Sequence, residues 1–139
     1  MKQVGSDVNN DVGIKNLDED HQAIFNYIDQ LQDLVNEPKN HGYAIAIIER
    51  LVAFFLAHVI NEEQQLQQYL PTNIVAAHIL LHQSELDILD ESIRTLTMNL
   101  TSKNIQTIAD KLNYEFKNHI YRYDRNIIQK LIKIKSSRH

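Results

Sequence analysis

Seven histidines and no cysteine set the chemistry open to this chain of 139 residues. Without thiols there is no disulfide, no thiolate metal site and no cysteine nucleophile, so a bound metal would rest on imidazole and carboxylate. Five of the histidines stand at helical spacing from large apolar residues. His21 precedes Ile24 and Phe25 by three and four positions, and His58 follows Phe54 and Phe55 by four and three, with Glu62 four residues further on. His78 and His82 are four apart, in line with Ile74, Val75 and Leu86, and His119 follows Phe116 by three. Residues at these spacings share one face of a helix. A single histidine on such a face is usually a hydrogen-bonded core residue, and Glu62 with His58, taken alone, is an ordinary (i, i+4) pair. The joint pattern outweighs that reading, because buried polar groups need partners and a thiol-free imidazole and carboxylate set suits a first-row divalent metal. His41, in a turn, and His139, at the terminus, read as exposed.

The elements that must position these groups are helices. Only 3 Gly and 2 Pro punctuate the chain, and strand-like alternation is hard to find. Four stretches carry the 3.6-residue apolar rhythm instead. A polar lead-in runs over residues 1–17, and the helices are expected at about 18–37, 42–69, 71–98 and 102–135. Asp18 opens the first, with Asp20 adding charge to the turn where the helix dipole favours it; Ile24, Phe25, Ile28, Leu31 and Val35 form its apolar face and Pro38 marks its end. The second follows the His41-Gly42 turn. Pro71 closes it and suits the start of the third, where a missing N–H costs nothing. Asn99 to Ser102 is a turn, with Ser102 the expected N-cap of the fourth helix. The fold class is all-α, an antiparallel up-down-up-down four-helix bundle forming one domain, whose facing helices can build a dinuclear centre.

Composition narrows the function classes. Hydrophobic residues make up 43%, enough for a core, and the net charge is −4. Nucleic acid is not an expected partner, since that needs a basic stripe. The basic residues Lys130, Lys133, Lys135 and Arg138 complement a helix C-terminus. No segment approaches the roughly 20 apolar residues of a membrane span; the longest run, Leu51 to Ile60, contains His58. Residues 1–10 are polar and acidic, unlike a secretion signal, and the expected location is the cytoplasm, with the protein a monomer.

Val12-Gly13-Ile14, then Leu17-Asp18-Glu19-Asp20-His21 with Ile24-Phe25, resembles the opening of a bacterial hemerythrin. His58-Val59-Ile60-Asn61-Glu62-Glu63, His78 with His82, and His119-Ile120 with Asp124 match the rest of that family's pattern in order. The resemblance implies a pair of iron ions. His78, His82 and His119 would hold one and His21 with His58 the other, which keeps an open position. Glu62 and Asp124 would bridge them, with an oxo or hydroxo group as the third bridge. Asp124 rests on the resemblance alone: five residues from His119 it falls about 140° away on an ideal helix, and spacing by itself favours Tyr123. The implied function is reversible binding of dioxygen as a hydroperoxide at the five-coordinate iron, in a pocket lined by Ile24, Val59, Phe116 and Ile120. No substrate is transformed, so the chain is expected to be a binding protein and not an enzyme.

Two positions depart from the family. Glu115, four residues before His119, and Glu85, three after His82, stand where bulky or aromatic residues are usual. Either slightly rotated helices carry both to solvent, or they enter the surroundings of the ions or ligate them. In the second case a di-iron oxidase, peroxidase or nitric-oxide-handling enzyme competes with the carrier. An iron- or oxygen-responsive interaction module is a further alternative. The ferritin-like di-iron enzymes want Glu-x-x-His on two helices, and no such pair is present.

Overall fold

A computed structural model describes residues 12–120, 129–130 and 132–134. Four long helices run α1 Val12–Asp33, α2 Tyr43–Tyr69, α3 Thr72–Met98 and α4 Ser102–His119, and the residues described beyond 128 are also helical. The first packs on the second and fourth, and the third on the second and fourth. That is the square arrangement of an up-down-up-down bundle, whose short connections force antiparallel neighbours.

The first helix starts earlier than expected. Residues 12–17, read as part of a polar lead-in, are already helical, so Asp18 lies inside α1. The lone Gly13 is cheap in a first turn, where its backbone has few hydrogen bonds to lose. The helix also ends sooner. Leu34 and Val35 donate to carbonyls three residues back, at 3.2 and 3.1 Å, the tightening typical of a final turn. Pro38 then begins a short 3-10 turn, Pro38–Asn40, instead of closing the helix. Between α2 and α3, Leu70 is extended, as a residue before proline must be. Pro71 is itself extended and takes the N-cap position, one residue ahead of its expected place.

At the start of α4 the N-cap is Thr101 and not Ser102. Its Oγ1 accepts from the Asn104 N–H at 3.1 Å. The Ser102 hydroxyl is drawn elsewhere: it donates to the Val35 carbonyl at 3.0 Å and lies 3.2 Å from Nε2 of His41. His41 is accordingly half-buried, against the expectation that it is exposed.

The core runs the length of the bundle. Ile24, Ile28 and Leu31 of α1 meet Ile48, Leu51 and Phe55 of α2, Leu89 and Leu96 of α3, and Ile105, Leu112 and Phe116 of α4. Among the described helices, α2 alone is long and apolar enough to cross a bilayer by length and composition, which the run Leu51 to Ile60 did not reveal. Its placement is that of a core helix: it packs between α1 and α3, and its inward face carries the buried His58 and Glu62.

Candidate metal centre

Toward the end of the bundle where α2 turns into α3, apolar packing gives way to imidazoles. His21 of α1, His58 and Glu62 of α2, His78 and His82 of α3 and His119 of α4 are all buried. They fall into two sets. One ligand atom each from Glu62, His78, His82 and His119 lie within 4.8 Å of one another, and the same holds for His21, His58 and Glu62. Glu62 belongs to both.

Its two oxygens divide the work. Oε1 lies 2.5 Å from Nε2 of His78 and 3.0 Å from Nε2 of His82. Oε2 lies 3.3 Å from Nε2 of His58 and 3.9 Å from Nε2 of His21. Burial by itself would push the Glu62 carboxyl up. The neighbouring imidazoles of His58, His78 and His82 more than offset this and hold it well below its ordinary value. The rings themselves are crowded, His78 standing edge-on to His82 at 4.5 Å and His82 stacking on His119 at 5.3 Å between centroids.

Several of these rings are gripped from behind. Nδ1 of His58 meets Asp20 at 3.0 Å, Nδ1 of His82 meets Glu63 at 2.9 Å, and Nδ1 of His119 meets Glu85. A carboxylate only accepts, so in each pair the ring N–H donates. Carboxylates behind imidazoles in this way fix tautomer and orientation in metal sites. The sequence reading missed Asp20 and Glu63 in this role. The signal was their adjacency to His21 and Glu62: the next residue along a helix points about 100° away, toward the neighbouring helix.

Of the two departures, Glu85 is 3% exposed and pairs with His119, which overturns the alternative that it reaches solvent. Glu115 is half-buried and belongs to neither set. Of the expected pocket residues, Ile24, Val59 and Phe116 are buried and Ile120 is half-buried. Phe55, not among them, packs against His58, His82 and Phe116 at centroid distances of 6.1, 5.9 and 5.2 Å, and so forms the dry wall of the centre.

Asp124 and Tyr123 lie outside the described residues. Just past His119, Ile120 closes α4 with right-handed helical backbone, its N–H reaching the Lys117 and Phe116 carbonyls.

The donor set fits bound cations on a physical test. Oε2 of Glu62 and Nε2 of His82 are sealed from solvent, and neither has the alignment of a hydrogen bond with its close neighbours. Buried polar atoms of this kind call for a partner, and imidazole nitrogens with a shared carboxylate oxygen are what a first-row cation takes.

A helical bundle with a buried set of five imidazoles around one shared carboxylate defines a cation-binding protein. The family model of the hemerythrin HHE cation-binding domain matches residues 12–131, and the chain belongs to that family. No curated protein and no solved structure matches it.

Proposed function

We propose that the chain holds two iron ions and binds dioxygen reversibly. The observation that carries this reading is the division of Glu62, with Oε1 facing His78 and His82 and Oε2 facing His58 and His21. One carboxylate between two imidazole sets is the arrangement of a bridge between two ions. In the reading, His78, His82 and His119 serve one ion, His21 and His58 the other, and Asp124 is the second bridge. Iron bound there would supply the electrons and the coordination position that dioxygen needs. The half with fewer imidazoles, at His21 and His58, is the one left with room.

The protein's own part is positional. Asp20 and Glu63 orient His58 and His82 through Nδ1, and Phe55 with Phe116 keeps water from the inner face. A second reading, turnover of oxygen or peroxide by the same centre, is favoured by one observation: Glu85 puts a buried carboxylate where the family usually has an apolar wall.

The test is to load the chain with ferrous ion without oxygen, count the ions, then admit and withdraw oxygen while recording absorption. Two ions per chain and a charge-transfer band that comes and goes with oxygen support the carrier. Direct passage to a stable ferric spectrum favours redox chemistry or sensing at the same centre. A chain that takes up no iron sinks the proposal.

A further inference from the structure

Glu85 stands on α3, one helical turn beyond His82, and faces α4 across the bundle core. At 3% exposure its charge is almost wholly withdrawn from water, a cost that a protein bears only where the group is paired. It pairs with Nδ1 of His119. The corresponding carboxylates behind His58 and His82 are less withdrawn, with side chains 25% and 21% exposed. Glu85 is thus the most deeply placed of these outer acids, and solvent dilutes its hold on the ring least.

The consequence lies in the tautomer. With the Nδ1 proton donated to Glu85, the lone pair of the neutral ring is on Nε2, the one nitrogen left for an ion. An aromatic side chain at this position would exclude water equally well but could not choose between the tautomers. We propose that Glu85 is a positioning residue that fixes the tautomer and ring orientation of His119, and so sets the ion affinity of the half-site His78, His82 and His119. The inference rests on the dinuclear reading above and adds a residue that acts on one half of it alone. In the other half, His58 is oriented by a different carboxylate, Asp20, behind its ring.

The experiment compares wild type with Glu85→Leu and Glu85→Gln. Nitrogen-15 spectra of the ion-free proteins should show His119 as the Nδ1–H tautomer in wild type and in Glu85→Gln, whose amide oxygen still accepts. In Glu85→Leu that single form should be lost. Anaerobic titration with ferrous ion should then find one ion of Glu85→Leu bound as in wild type. The other should be weakened about 10- to 100-fold, with Glu85→Gln recovering most of the difference. Should Glu85→Leu fail to fold, Glu85→Asn, which withdraws the acceptor by one methylene, gives the same contrast. Unchanged affinity for both ions overturns the inference, and so does equal weakening of both, the mark of a general packing defect. A wild-type chain that takes up no ferrous ion instead overturns the dinuclear reading, and this inference with it. The two failures are told apart because one shows in wild type and the other only in the variants.

Discussion

At the scale of single residues, Glu62 is the group whose loss reaches both halves of the centre, since each of its oxygens faces a different imidazole set. Glu62→Gln is expected to lower ion content below one per chain, measured by metal analysis after anaerobic loading. His58→Ala and His82→Ala should each remove one ion and leave the other, because each ring belongs to one set. Glu62 also makes the ion-free fold sensitive to pH. Its folded carboxyl lies below its ordinary value, so its contribution is complete above the unfolded value of about 4.3. That contribution is lost as pH falls through the lower, folded value. Urea unfolding of the ion-free chain at pH 7 and pH 3 should therefore show a steeper loss in wild type than in Glu62→Gln. At pH 7 the variant should be less stable by about 1–3 kcal/mol.

At the scale of elements, the joint between the α1–α2 connection and α4 is the part that local sequence could not disclose. Thr101 and Ser102 are both good caps by residue type. Ser102 is taken out of that role by the Val35 carbonyl, a partner 67 residues away in sequence. Thr101→Ala should cost about 1 kcal/mol as a lost cap, and Ser102→Ala a similar amount through the lost tertiary bond. Thermal unfolding measures both, and ion content should stay unchanged. The inward imidazoles were legible for the opposite reason. His58 with Glu62 and His78 with His82 sit four apart among apolar residues, and that spacing survives any small error in helix ends. The acids behind the rings were hidden, because Asp20 and Glu63 are one position off the inward face and act across helices. Glu85 was visible only as an anomaly: a carboxylate at an inward position announces a partner without naming it.

At the scale of the whole molecule, the apolar core and the imidazole cluster are stacked along one bundle and meet at Phe55 and Phe116. The core from Ile28 to Leu112 involves no ligand candidate, so the helices have reason to hold together without ions. Chelation should leave the far-ultraviolet circular dichroism of a helical bundle in place while lowering the melting temperature. An ion at a hundredfold its dissociation constant adds about 2.7 kcal/mol. Collapse of the helical signal on chelation would favour a metal-responsive module over a preformed carrier. Phe55→Ala, which opens both the core and the wall of the centre, should cost about 3–5 kcal/mol in denaturant unfolding.

The grip of the imidazoles on Glu62 bears on how ions would be taken up. An incoming ion would displace a proton, the one that Nε2 of His78 donates to the shared carboxylate. Loading would therefore be an exchange of cations, and the acidity of the medium would govern how far it runs.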